Sequence, residues 1–148
     1  MKAKNLLPFI ALMILVCSIG CKEEEKTDPC ESTAAANKTI RINLTVTVKS
    51  QDDTPLSNEL VEVRFERHPC GASATDVVFE EENTDLQGQV VFAQQSITLK
   101  NTKDDAFITA TIPNLNASKK FSNKTYHYDD FSDGEEVEVE MDFKEGDQ

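Results

Sequence analysis

The stretch that decides the fold class is Thr39-Ile40-Arg41-Ile42-Asn43-Leu44-Thr45-Val46-Thr47-Val48-Lys49. Its aliphatics, Ile40, Ile42, Leu44, Val46 and Val48, alternate with Arg41, Asn43, Thr45, Thr47 and Lys49. Successive side chains of an extended chain point to opposite faces, so this period of two gathers the apolar groups on one side and the polar groups on the other. A helix would scatter both sets around its circumference. The segment is therefore expected to be a strand with one face buried and one face in water.

The same reading extends downstream. Gln51-Asp52-Asp53-Thr54-Pro55 supplies turn formers, and Pro55 lacks the N–H that a central ladder needs. Val61, Val63 and Phe65 alternate with Glu62, Arg64 and Glu66 as a second strand, and a loop around Pro69 to Ala74 leads to a weaker third at Val77 to Glu81. Thr84-Asp85-Leu86-Gln87-Gly88 reads as a turn before a fourth strand, Val90 to Ala93. Ala106, Ile108, Ala110 and Ile112 mark a fifth, Lys119 to Tyr128 a sixth, and Val137, Val139, Met141 and Phe143 a seventh. No longer window has helical spacing. About seven short strands joined by turns imply a single all-β sandwich of antiparallel strands over residues 38–145.

Composition limits what such a domain can bind. The 148 residues carry 15 Lys and Arg against 27 Asp and Glu, a formal charge of −12 with a pI near 4.5. Phosphate neutralisation requires clustered Lys and Arg, so nucleic acid is excluded as a partner. Anionic lipid headgroups would repel the same charge, so any membrane attachment must come from a hydrophobic device.

The first 20 residues provide one. Lys2 and Lys4 precede an apolar run from Leu6 to Ile19, long enough for a signal-peptide core and short of the roughly 20 residues a spanning helix needs. Ser18-Ile19-Gly20-Cys21 resembles the lipobox of bacterial lipoproteins, with Ser18 where that family usually has Leu. The resemblance implies that Cys21 is acylated and becomes the first residue of the mature chain. An ordinary secretory signal and an uncleaved anchor are the alternatives. Loss of residues 1–20 removes two Lys and no acid, taking the formal charge from −12 to −14. Leu, Ile, Val and Phe then make up only about a fifth of the chain, near the level at which charged chains stay disordered, so pattern rather than composition carries the fold assignment.

Residues 21–37 form an acidic segment, opening Cys21-Lys22-Glu23-Glu24-Glu25-Lys26, which self-repulsion would keep extended as a flexible tether. An acidic cluster directly after a lipidated cysteine also resembles the export signal of surface lipoproteins in Bacteroidota. That resemblance implies an outer-membrane protein facing the cell surface; a periplasmic orientation is the alternative.

Within the domain, the run through Pro55-Leu56, Val61-Glu62-Val63, Thr84-Asp85 and Gly88-Gln89-Val90-Val91-Phe92 resembles the immunoglobulin-like and carboxypeptidase-regulatory-like (transthyretin-type) bacterial modules. Asp52-Asp53-Thr54 stands where those modules usually have Gly before the Pro. The resemblance implies a non-catalytic spacer, adhesion or partner-binding unit, and fold alone does not choose among them.

Candidate sites are few. With Cys17 in the signal and Cys21 assigned to lipid, Cys30 and Cys70 are the one remaining pair. If the first two strands are antiparallel neighbours, both cysteines lie at one end of a sheet. A bridge would close a loop of about 40 residues and stabilise by roughly 4 kcal/mol in the chain-entropy model; two free thiols are the alternative. His68 and His127 read as surface or loop residues, and no nucleophile elbow, Gly-rich phosphate loop or Cys-x-x-Cys is present, so neither catalysis nor a cofactor is expected. Asp129, Asp133 and Glu140 fall at positions 1, 5 and 12 of a calcium-loop template with Gly134 at 6, but Phe131 occupies position 3. A turn is the simpler reading of that loop. Tyr126 and Tyr128, two apart on one strand face, could stack on sugar rings; a core face is the simpler reading. Glu136, Glu138, Glu140 and Asp142 share the polar side of the last strand and form either a solvated face or one that meets a basic partner.

Overall fold

A computed structural model of the chain describes residues 36–117 and 120–146. The expected signal segment, Cys21, the Lys22–Lys26 acidic run and Cys30 lie outside the described residues. Among those described are seven strands: β1 (Lys38–Lys49), β2 (Leu60–His68), β3 (Thr75–Asn83), β4 (Gln89–Leu99), β5 (Asp105–Thr111), β6 (Phe121–His127) and β7 (Glu136–Lys144). Short 3₁₀ turns occupy Pro69–Gly71 and Tyr128–Asp130. The strands form two packed sheets, one ordered β4-β1-β7 and the other β3-β2-β5-β6.

The period-two segment is the middle strand of the smaller sheet. Ile40, Ile42, Leu44, Val46 and Val48 are all fully buried, facing Val61, Val63 and Phe65 of β2 and Ala106, Ile108 and Ala110 of β5. Burying one such aliphatic side chain contributes about 1.5–3 kcal/mol, so the alternation in β1 alone brings the two sheets together.

Three features correct the sequence reading. β1 and β7 pair in parallel, from Arg41 opposite Glu136 to Lys49 opposite Lys144, so the strands are not all antiparallel. Residue pattern shows which face of a strand is buried but not its partner. Here β2 to β6 together supply the long crossover that parallel pairing requires. Second, β1 and β2 belong to different sheets and are not hydrogen-bonded neighbours. Third, β4 runs on to Leu99 instead of ending at Ala93. Gln94 takes φ 57°, and the register to β1 shifts between Ile42 and Leu44. This bulge inserts one residue and flips the buried phase from Val90 and Phe92 to Ile97 and Leu99, which conceals the second half of the strand from a period-two reading.

One end of the sandwich is closed by the residues that carry the family resemblance. Val48 N–H donates to Gly88 O at 2.8 Å, and Val48 O accepts from Leu56 N–H at 3.0 Å. Buried Thr84 donates its hydroxyl to Leu56 O at 2.6 Å and accepts from Glu59 N–H at 3.0 Å. Asp85 Oδ1 accepts from the amides of Gln87 and Gln89 at 2.8 and 2.9 Å. Gly88 has φ +70°, and a Cβ there would sit 2.6 Å from Val48 O. Pro55-Leu56 and Thr84-Asp85…Gly88 are therefore two halves of one backbone knot.

The other end is held by charge. Asp104, 2 % exposed, accepts from Arg67 Nη1 at 3.1 Å and from Lys100 N–H at 2.9 Å. Arg67 Nε also donates to Asp76 at 2.9 Å, and Lys100 Nζ lies 3.4 Å from the same carboxylate. The hydrogen bond from Arg67, followed by that from Lys100, holds the Asp76 carboxyl below the usual carboxylate range.

Both closures can be tested by denaturant unfolding. Gly88→Ala combines a left-handed backbone with a steric overlap and is expected to lower stability by about 2 kcal/mol or more. Asp104→Ala leaves the largely buried Arg67 guanidinium short of a partner and is expected to cost about 3 kcal/mol. The midpoint should fall in each case with an unchanged slope.

Candidate binding surface

β7 is an edge strand of the smaller sheet, and its inward residues Val139, Met141 and Phe143 pack in the core. Glu136, Glu138, Glu140 and Asp142 consequently all point out of the same face and are exposed. At about 3.3 Å of rise per residue, neighbouring carboxylates lie roughly 7 Å apart along a stripe of about 20 Å. That spacing is shorter than the Debye length of about 8 Å at physiological ionic strength, so the charges repel one another even in salt. Among the described residues, none of the four is in an ion pair with Lys, Arg or His. Basic groups stand only at the ends, with Arg41 opposite Glu136 and Lys49 opposite Lys144. Lys144 itself pairs with Asp53 at 2.8 Å, and its hydrogen bond and charge draw the Asp53 carboxyl below its usual value.

Asn43 organises the N-terminal half of the stripe. The bulge in β4 leaves Asn43 without a facing residue on that side, and its Oδ1 accepts the Gln94 amide at 2.9 Å. Its Nδ2 donates to Glu136 at 2.7 Å and Glu138 at 2.9 Å. One side-chain amide thus spans all three strands. Beside it lies a shallow recess of about 290 Å³ lined by Arg41, Gln94, Ser96 and Glu136.

The other sequence candidates are not brought together. Tyr126 is half-buried on the inner side of β6, opposite Ala106. Tyr128 leaves the strand, lies in the 3₁₀ turn and is 7 % exposed. Lys38 Nζ sits 4.3 Å from the Tyr128 ring centroid and donates to the carbonyls of Tyr128 and Phe131 at 2.9 and 3.1 Å. The pair therefore offers no aromatic platform, because the strand expected to carry both ends one residue too early. Asp129, Asp133 and Glu140 do not converge either, and no metal-binding group of acids, His or Cys occurs among the described residues. Asp133 accepts the Thr39 amide at 2.8 Å, Asp130 the His127 amide at 2.7 Å and Glu135 the Ser132 amide at 2.6 Å, while Glu140 belongs to the β7 stripe. These acids shape the turn. Cys70 sits in the Pro69–Gly71 turn with φ 46° and is not a free thiol; Cys30 is outside the described residues.

Three features have no signature in a period-two reading: the Arg67–Asp104 pair, the Asn43 bridge and a cross-strand row of His68, Asp105 and His127. His127 Nδ1 lies 2.6 Å from Asp105 Oδ1, and His68 contacts the Phe107 ring at 4.2 Å between centroids. Comparison with protein-family models and with curated proteins finds no significant match.

The Asp105 hydrogen bond, then its charge, raises the His127 imidazole above its ordinary 6.5. A base whose folded pKa exceeds its unfolded value stabilises the fold fully below the unfolded pKa and loses that contribution as pH rises through the folded one. An NMR titration is expected to show His127 deprotonating at a lower pH in Asp105→Asn than in the wild type.

Proposed function

We propose that this chain is an exported, lipid-anchored envelope protein, non-catalytic, whose sandwich binds a partner with a basic surface. The acidic stripe of β7 is the observation that carries the binding reading. Four like charges along an edge strand are relieved when a cationic surface replaces water and salt, and they steer such a partner during diffusion. The Ser18-Ile19-Gly20-Cys21 resemblance supports acylation at Cys21, and the acidic run behind it supports an address on the outer face of the outer membrane. Acyl chain contributes about 0.8 kcal/mol per buried CH₂, so two or more chains on Cys21 would hold a strongly acidic domain at a surface that its charge disfavours.

A Cys30–Cys70 bridge belongs to the same reading. β1 and β2 lie in different layers, but the loop between them reverses the chain. The start of β1 and the end of β2 therefore share one end of the sandwich, as Lys38 on Tyr128 and the His68, Asp105 and His127 row show. A bridge would tie the acidic segment to that end.

Radiolabelled palmitate is expected to enter the wild-type chain and not Cys21→Ala, which should move to the aqueous phase on detergent partition. Label retained by the variant would overturn the anchor. Cross-linking on intact cells is expected to capture a partner at low salt that is lost at high salt and in Glu138→Lys/Glu140→Lys. Unchanged, salt-resistant capture would overturn the acidic-stripe reading, and no capture would leave a spacer as the better description.

A further inference from the structure

β3 forms the edge of the larger sheet, paired with β2 along one side and with no strand along the other among the described residues. Every edge strand leaves a row of backbone donors and acceptors open to another chain, and most edges are guarded by charge or a bulge. β7 carries its alternating acids. The first half of β3 bulges at Asp76–Val77, where Asp76 takes φ 53° and the register to β2 shifts between Phe65 and Arg67, but no charge stands on the residues that follow: consecutive Val77, Val78 and Phe79 are 49 %, 41 % and 48 % exposed. Its second half is Glu80-Glu81-Glu82. The edge is thus divided along its length into an apolar block and an acidic block.

The surroundings complete a receptacle. β4 is an edge of the opposite sheet and runs past β3 at the same side of the sandwich, leaving a cleft of about 490 Å³ with Val78 on one wall and Ile97 and Thr98 on the other. Val78 is in register with core-facing Phe65, and Phe79 with outward Arg64, so an added strand would cover one of them with each face. Gln95 spans the opening to Glu80 at 2.9 Å, and Arg67 and Lys100 hold Asp76 at the start of the strand. The edge is therefore fixed before anything binds it.

Charge selects the occupant. A second copy would bring its own three glutamates, and a net charge of −14 on the mature chain, against this edge. The 21–37 segment of the same chain carries five acids against two Lys, a net −3. We infer that β3 accepts, by strand addition, an extended segment of another protein in which a block of Lys or Arg meets Glu80–Glu82 and a β-branched or aliphatic block meets Val77–Phe79. Backbone hydrogen bonds would supply affinity and the two blocks would set the register. This site lies on a different sheet from the β7 stripe and stands or falls separately.

The probe is a capped nonapeptide of three Lys followed by alternating Val and Thr, added to the full chain in detergent micelles and followed by amide hydrogen exchange. Exchange at those amides of Val77–Glu82 that point away from β2 is expected to slow by about tenfold or more with peptide, and elsewhere to stay within about twofold. Replacing the peptide's Lys by Glu, or its alternate amides by N-methyl amides, should abolish protection. Glu81→Lys/Glu82→Lys and Phe79→Ser should each weaken binding about tenfold, whereas Glu138→Lys/Glu140→Lys should leave it unchanged. Protection centred on β6 or β7, equal binding of the Glu peptide, or outward-pointing β3 amides already protected without peptide would overturn the inference. In the last case, protection that falls on dilution would assign the edge to a second copy, and protection that persists would assign it to the chain's own N-terminal segment.

Discussion

Ile40, Ile42, Leu44, Val46 and Val48 are withdrawn from water completely, and the arrangement of the other strands follows from that constraint. A strand buried on one face needs a second sheet over it, and β2 and β5 provide its centre. A middle strand also needs partners on both sides, and β4 and β7 supply them, one antiparallel and one parallel. The polar phase of β1 is thereby fixed on the outside. That is why Asn43 can reach both the β4 bulge and the acids of β7.

The ends of this layered core are closed by different physics. At one end, Thr84, Asp85, Gly88 and Leu56 satisfy backbone groups that an irregular connection would otherwise bury unpaired. At the other, Asp104 neutralises Arg67 in a nearly dry site and also accepts the Lys100 amide. A buried charge pair of this kind adds little net stability over an apolar replacement, but it is intolerant of losing one member. It also fixes the start of β3 beside the cleft.

What the molecule presents outward follows from these closures. β7 shows a stripe of like charge, and β3 shows apolar residues followed by acids. On the proposed lipid anchor, an acidic body would meet a cationic partner by attraction at short range and be repelled by anionic lipid headgroups. The two edges lie on different sheets, so a partner at one need not displace a partner at the other.

The all-β class and the buried phase of β1, β2, β5 and β7 were legible in the sequence, because strand alternation is a local consequence of backbone geometry. Pro55-Leu56 and Thr84-Asp85…Gly88 could likewise be recognised as turns, since Gly and Pro restrict or free φ wherever they stand. Partner choice was not legible. The parallel pairing of β7 with β1, the bulge at Gln94 and the meeting of Arg67 with Asp104 each depend on residues far apart in the chain. Their energies arise only when those residues are brought together, so no window of sequence contains them. The acids of β7 could be counted in advance, but only the sheet order placed them on an edge, and only the opening between β3 and β4 set Val77, Val78 and Phe79 beside a cleft.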